Sequence, residues 1–122
     1  MKLSEEQQDF AFNVAKLIQH IFDIGFSCTI NEVYRPPETA ELYAKQGRGI
    51  KNSLHTDKLA IDLNLFDSNG RLLTDGGSYA TFGRYWETLN PLNKWGGNFK
   101  ADKSNPSRAI VGDYNHFEMR KA

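Results

Sequence analysis

The sequence has 122 residues, which suffices for one domain with a single hydrophobic core and leaves little chain for a second. Apolar residues make up 39% and charged residues 25%, a globular composition that excludes a disordered chain. Fifteen basic side chains balance fifteen acidic ones, so the net charge gives no reason to expect nucleic acid or an acidic membrane as the partner.

The N-terminal part of the sequence predicts a helix followed by a strand. Apolar residues recur at helical spacing over residues 5–22, and Ser4 followed by Gln7 resembles a capping box. The segment 26–34, FSCTINEVY, is rich in β-branched and aromatic residues and therefore predicts a strand. Because Cys28 is the single cysteine, an internal disulfide is excluded.

The middle of the sequence predicts a second helix and a half-buried strand. Two prolines end the first strand, and residues 38–45 follow as a short helix before a loop rich in glycine and polar residues. From position 60 apolar and polar residues alternate, which is typical of a strand with one face in a core. We expect the core face to carry Ile61, Leu63 and Leu65, and the other face to carry Ala60, Asp62 and Asn64.

The C-terminal half predicts a turn, a helix, a long loop and a closing strand. Asn69-Gly70 within DSNGRLL is a pair that favours positive φ in a tight turn. Residues 79–89 have the pattern of a helix, residues 90–108 that of a loop, and residues 113–120, DYNHFEMR, that of a strand.

Asp62 is the first sign of a chemical site, because a carboxylate within an apolar strand must be solvated, paired or bound to a cation. His55 lies in the loop that enters this strand, and a curled chain brings its imidazole to the same point, although a straight strand would not. His116 in the closing strand offers a third donor. Two imidazoles and one carboxylate leave a position open for water, which is the pattern of catalytic zinc sites. The alternative is a buried, hydrogen-bonded His and Asp pair.

Four segments resemble the M15 zinc peptidases, which include D-Ala-D-Ala carboxypeptidases, D-Ala-D-Ala dipeptidases and phage L-alanyl-D-glutamate endolysins. SLHTDKLAID resembles their Ser-x-His-x6-Asp motif, and DYNHFE their second motif, an acid three residues before a His. VYRPPETAELYAKQG resembles the arginine-bearing segment, and KWGGNFK the Trp-Gly-Gly segment, so the resemblance runs from about residue 30 to 119. Many members have Gly where this chain has Lys58, which leaves the shape of that turn open.

The resemblance implies a role for each matching residue. His55, Asp62 and His116 match the ligands of one Zn²⁺ per chain. Asp113 matches the general base, with a turn aspartate as the alternative. Arg35 matches the arginine that contacts the scissile carbonyl or the oxyanion, with an ion pair to Glu32 or Glu38 as the alternative.

Three further residues are candidates for the site. Ser53 either positions the substrate or forms a hydrogen bond with a zinc ligand, but it could equally cap the loop. Trp95, followed by two glycines, is either an aromatic wall for a peptide substrate or a core residue. Glu118 shares a strand face with His116 and is a candidate to orient its imidazole.

The resemblance implies an α+β fold in which a small antiparallel sheet bears the zinc site and helices pack on its other face, as in hedgehog and the DD-peptidases. We expect one such domain over residues 1–122. The implied activity is hydrolysis of an amide bond in the peptidoglycan stem peptide, between L-Ala and D-Glu in a phage or prophage endolysin. A D-Ala-D-Ala carboxypeptidase or dipeptidase, for which Lys58 could hold the terminal carboxylate, and a non-catalytic zinc-stabilised binding domain remain open.

The N-terminal residues turn acidic and polar after three positions and contain no apolar stretch of the length that a signal peptide or membrane span needs. We therefore expect synthesis in the cytoplasm, as a monomer without stable membrane association. Such an enzyme would reach the cell wall after another protein had opened the membrane.

Overall fold

The computed structural model describes residues 2–48, 53–99 and 113–121. The helices are α1 (Leu3–Asp23), α2 (Pro37–Lys45) and α3 (Gly76–Leu89), and the strands are β1 (Ser27–Glu32), β2 (Ala60–Phe66), β3 (Asn93–Trp95) and β4 (His116–Met119). The strands form one antiparallel sheet in the order β1-β2-β4-β3. The expected α+β class is confirmed. Within the described ranges, no helix combines the length and apolar character needed to cross a membrane.

One face of the sheet forms the hydrophobic core with α1 and α3. The predicted core side chains of β2 are at most 2% exposed, which confirms the alternation read from the sequence. Leu17 and Ile21 of α1 and Phe82 and Trp86 of α3 pack against them. Helix α2 has one buried residue, Ala40, and it borders a cavity together with the residues that follow β4.

Two helix ends differ from the sequence prediction. The capping box at Ser4 is wrong: α1 begins at Leu3 after Lys2, which makes no side-chain capping hydrogen bond. Helix α3 begins three residues earlier than predicted, because the carboxylate of Asp75 accepts a 2.8 Å hydrogen bond from the N–H of Ser78. This cap outweighs the poor helix propensity of the two glycines that follow it.

The predicted loop over residues 90–108 contains regular structure where it is described. It includes β3 and a short 3₁₀-helix at Gly96–Asn98, while residues 100–108 lie outside the described residues, as do residues 49–52 of the predicted glycine-rich loop. Strand β3 pairs with β4 in a register that sets Trp95 opposite Phe117 and Lys94 opposite Glu118. Trp95 therefore belongs to the core face of the sheet.

Candidate metal centre

Strands β2 and β4 bring Asp62 and His116 together on the face opposite the core. The two residues are direct cross-strand partners, and such partners have neighbouring side chains. Nδ1 of His116 lies 3.0 Å from Oδ1 of Asp62. Two separate sequence motifs thus meet because antiparallel pairing aligns them.

A compact turn over residues 53–59 delivers His55 to the same point. The N–H of Lys58 donates to the carbonyl of His55 at 3.2 Å, and the N–H of Leu59 donates to that of Leu54 at 2.9 Å. Lys58 adopts a φ of 58°, the left-handed region that glycine normally occupies. The turn therefore keeps a left-handed residue at the position where Lys58 departs from the expected glycine. His55 is 2% exposed, and its Nε2 lies 3.4 Å from Oδ1 of Asp62.

The hydrogen bonds of the two imidazoles indicate which nitrogen faces the cluster. Nδ1 of His55 lies 2.9 Å from the carbonyl oxygen of Val33, and because a carbonyl only accepts, this nitrogen carries the proton. Nε2 of His55 is then directed at Asp62, and its lone pair is available to a metal ion when the ring is neutral. His116 is oriented the other way, with Nδ1 towards Asp62 and Nε2 2.8 Å from Oε1 of Glu118.

Opposite charges in the cluster stabilise the ionised forms of their neighbours. Burial raises the pKa of the Asp62 carboxyl, but its contacts with His116 and His55 outweigh burial and lower that pKa to about 2. Burial lowers the pKa of His116, but its hydrogen bonds to Asp62 and Glu118 outweigh burial and raise that pKa to about 9. The pKa of Glu118 is lowered, because contacts with His116 and Arg120 overcome the opposing effect of burial. The site therefore holds ionised carboxylates around its imidazoles.

The donor set fits a divalent metal ion. One atom each from His55, Asp62 and His116 lies within 4.8 Å of the other two, so a single ion could contact all three. Two imidazole nitrogens and one carboxylate oxygen are ligands that Zn²⁺ accepts while keeping a further position open. A cation bound here would displace a proton from His116, as metal binding commonly does. Glu118 and the Val33 carbonyl then act as the partners that hold the two rings in place.

A cleft of about 410 Å³ opens above this cluster, and the side chains of Arg35, Arg48, Phe99 and Asp113 are part of its wall. The guanidinium of Arg35 forms an ion pair with Glu32, as the alternative interpretation of Arg35 expected, yet it also borders the cleft. A larger cavity of about 580 Å³ lies between α2 and the end of β4; Ser53 and Leu54 border both cavities, but none of the three metal-binding candidates lines the larger one. The smaller cleft is therefore the candidate site, because the donor atoms lie there.

Asp113 is held at the rim of the cleft by its backbone. Its carbonyl oxygen accepts a 3.0 Å hydrogen bond from the N–H of His116, and its side chain is exposed. A Cβ at Gly96 would lie 2.0 Å from that carbonyl oxygen, so only glycine permits this approach. The Trp-Gly-Gly segment thus helps to position Asp113.

The two predicted substrate contacts lie in different environments. Ser53 is 5% exposed, and its Oγ accepts a hydrogen bond from the N–H of His55 at 3.2 Å, so it stabilises the turn and borders the cleft. Trp95 is 6% exposed and packs against Gly83 and Gly97, where any Cβ would overlap the indole ring. Its Nε1 donates to the carbonyl of Tyr114 at 2.6 Å. Trp95 is thus a core residue, the second of its two interpretations, because the β3–β4 register directs the ring into the core.

Sequence reasoning missed Glu32 and Arg48 as residues of the site. Glu32 lies on the metal side because of a strand irregularity that has no local sequence signal. Arg48 lies in a polar loop, where a cation is ordinarily a solvated surface residue. Its proximity to the cleft depends on tertiary packing.

The structure was compared with those of known proteins. The crystal structure of the Serratia marcescens L-Ala D-Glu endopeptidase ChiX is similar, with a TM-score of 0.66. The two chains are 15% identical, and the match covers 96% of this chain and 85% of the other. No protein-family model and no curated protein sequence matches this chain. The similarity therefore shows a shared peptidase-like fold, while the M15 resemblance still rests on the four motifs.

Proposed function

We propose that this chain is a zinc peptidase that hydrolyses an amide bond in the stem peptide of peptidoglycan. The observation that carries the proposal is the meeting of His55, Asp62 and His116 within 4.8 Å of one another at a cleft. A structural zinc site is normally closed by four protein ligands, whereas three ligands are typical of a catalytic one.

The three ligands would hold the metal where an amide substrate can approach it. When bound, Zn²⁺ would polarise the carbonyl of the scissile amide and lower the pKa of a water molecule to about 7. His55 and the turn around it exclude bulk water from one side, because the imidazole is 2% exposed. Proton transfer and stabilisation of the oxyanion would depend on side chains of the cleft wall.

Asp113 is the candidate general base. Its exposed carboxylate lies at the cleft beside the strand that carries His116. From there it would take a proton from the attacking water and later give it to the leaving amine. A positioned acid–base group of this kind contributes about 10²- to 10⁴-fold to the rate.

Arg35 is the candidate for stabilising the oxyanion. Its side chain is 13% exposed and is held by Glu32, so the guanidinium presents a fixed, permanently charged donor to the cleft. A donor that is already in place when charge develops on the carbonyl oxygen lowers the barrier without reorganisation.

The proposed bond is the one between L-Ala and D-Glu. Two observations support it: position 113 is Asp, as in the phage endolysins that this chain resembles, and the similar Serratia marcescens structure is named an L-Ala D-Glu endopeptidase. In this proposal the enzyme is made in the cytoplasm as a monomer. It acts as an endolysin, reaching the peptidoglycan once the host membrane has been opened.

A D-Ala-D-Ala carboxypeptidase is the second candidate, because such an enzyme needs a cation to hold the terminal carboxylate of its substrate. Lys58 was the expected cation, but its Nζ lies over the ring of Tyr34 at 5.3 Å from the centroid. Arg48 also lies over a ring, that of Tyr43 at 4.2 Å from the centroid, but it borders the cleft, and its presence there favours this alternative.

The proposal is tested by incubating the zinc-loaded protein with purified murein sacculi and analysing the products by mass spectrometry. We expect glycan chains that bear lactyl-L-Ala and released peptides that begin with D-Glu. Loss of terminal D-Ala alone, abolished by Arg48→Gln, would establish the carboxypeptidase instead. A protein that binds zinc with high affinity and leaves sacculi intact would be a zinc-stabilised binding domain.

A further inference from the structure

We propose that Glu32 is a positioning residue that holds the guanidinium of Arg35 at the cleft. The inference deepens the proposed function and rests on it for the role of Arg35. It also makes a claim about this ion pair that can be measured without any substrate.

A β-bulge is what brings Glu32 to the metal side of the sheet. Ile30 pairs with Leu63, but Glu32, two residues later, pairs with Asp62, only one residue away on β2. Asn31 is therefore the additional residue of the bulge. Residues two apart in a regular strand share a face, so without the bulge Glu32 would lie on the same face as Ile30 and Leu63. Bulges are enriched next to active sites, where they redirect a side chain.

The carboxylate of Glu32 makes a two-donor contact with Arg35. Its Oε1 accepts hydrogen bonds from Nε, at 3.1 Å, and from Nη2 of the guanidinium. The side chains are 28% and 13% exposed, so water competes weakly with the pair. The face of the guanidinium lies over the ring of Tyr43, 5.2 Å from its centroid. Two hydrogen bonds and one ring contact thus restrict the rotation of the arginine.

The segment that follows the bulge also contacts His55 directly. The carbonyl of Val33 accepts a hydrogen bond from Nδ1 of His55 at 2.9 Å, and the N–H of Arg35 donates to the carbonyl of His55 at 3.2 Å. Oε1 of Glu32 itself lies 3.8 Å from Nε2 of His55. The same bulge therefore aligns the guanidinium with the metal-binding cluster.

Replacing Glu32 would remove the ion pair that holds the guanidinium, while Arg35 itself would be unchanged. Glu32→Gln keeps the size of the side chain and removes the charge that both donors share. Because an oxyanion contact acts in the transition state, we expect kcat to fall about 10- to 10²-fold with KM nearly unchanged. Glu32→Asp retains the charge on a shorter side chain and should restore part of the loss. Zinc should still bind at about one ion per chain, because the three metal donors are intact, although removal of a carboxylate 3.8 Å from Nε2 of His55 should weaken its affinity.

The experiment combines kinetics, zinc affinity and NMR of the arginine Nε–H groups. Glu38→Gln is the matched control, because Glu38 lies in the first turn of α2, is exposed and is equally far from Arg35 in sequence. The Arg35 Nε–H resonance, assigned by its absence in Arg35→Lys, should move in Glu32→Gln and stay in place in Glu38→Gln. In the double variant, Glu32→Gln should add little to the loss caused by Arg35→Lys, since both remove one interaction.

The outcomes separate this inference from the proposed function. If the wild-type protein cleaves no peptidoglycan, the proposed function fails, while a selective shift of the Arg35 resonance in Glu32→Gln still supports the positioning role. If the Arg35 resonance stays in place and kcat is unchanged in Glu32→Gln, the positioning role is overturned. A loss of zinc in Glu32→Gln would also overturn it, because Glu32 would then act on the metal site. Should Glu32→Gln fail to fold, Glu32→Asp provides the same comparison of resonance and rate.

Discussion

The two faces of strands β2 and β4 are made from the same stretches of chain and have different physical roles. On one face Ile61, Leu63 and Phe117 are at most 2% exposed and pack with α1 and α3. On the other face Asp62 and His116 are joined by a directional contact of 3.0 Å. Burial of apolar area stabilises roughly in proportion to area, whereas charged hydrogen bonds depend on the position of single atoms. Neighbouring residues in one strand therefore carry stability and chemistry separately.

The largest expected effect comes from removing a metal donor on the polar face. His55→Ala should lower the zinc content from about one ion per chain to near zero and abolish activity, because two ligands seldom hold Zn²⁺. Elemental analysis and the sacculus assay measure both quantities. His20→Ala is the matched control, since this histidine stacks on Tyr85 at a centroid distance of 3.9 Å, outside the candidate metal cluster. Zinc that persists in His55→Ala would contradict the site assignment.

The next effect comes from the apolar face of the same strands. Phe117→Ala should lower the free energy of unfolding by about 3–5 kcal/mol, because it leaves a cavity between β4 and Trp86 of α3. Urea denaturation measures this loss. Asn64→Ala, on the polar face of β2, should cost less than about 1 kcal/mol. Equal losses of unfolding free energy in the two variants would show that the polar face contributes to stability as much as the apolar face does.

A smaller effect is expected at Asp113, which tests chemistry without altering either the metal or the core. Asp113→Asn should lower kcat by about 10²-fold, the scale of a positioned acid–base group. Zinc content and the free energy of unfolding should stay nearly the same, because the side chain is exposed. If turnover survives, the base must be sought elsewhere, with Glu118 as the next candidate.

The smallest effect concerns the turn that leads from His55 into β2. Lys58 has positive φ, which costs a residue with a Cβ about 1 kcal/mol, so Lys58→Gly should be more stable than Lys58→Ala by roughly 0.5–1 kcal/mol. Both variants lose the contact with Tyr34, so their difference isolates the backbone. Thermal unfolding measures it. If zinc affinity differed between the two variants as their stability does, the conformation of this turn would also affect metal binding.

Local periodicity was enough to predict the two faces of β2. Alternation assigned Ile61 to the core and Asp62 to the opposite side, because a strand has a period of two and this one lies within the sheet. The motifs also predicted His55, Asp62 and His116, which lie together at the cleft. His55 was expected to curl back to Asp62, and the structure brings their side chains together.

Features that depend on distant partners could not be predicted in this way. Trp95 looked like a loop residue, and only the pairing of a three-residue strand with β4 directs it into the core. Glu32 is one of two possible ion-pair partners of Arg35 by sequence, but its position on the metal side depends on the bulge at Asn31, which is defined by the register against β2. Arg48 acquires its place at the cleft in the same non-local manner.

The contact between Gly96 and Asp113 has a consequence for how this protein can change over evolution. The segment around Gly96 and the segment that begins at Asp113 are joined by β3–β4 pairing, by the Trp95 indole and by the close approach at Gly96. A side chain at position 96 would push the backbone of Asp113 away, and with it the carbonyl that accepts the hydrogen bond from the N–H of His116. Glycine is therefore required at a position that contributes no functional group of its own, and its replacement would disturb two residues of the cleft at once.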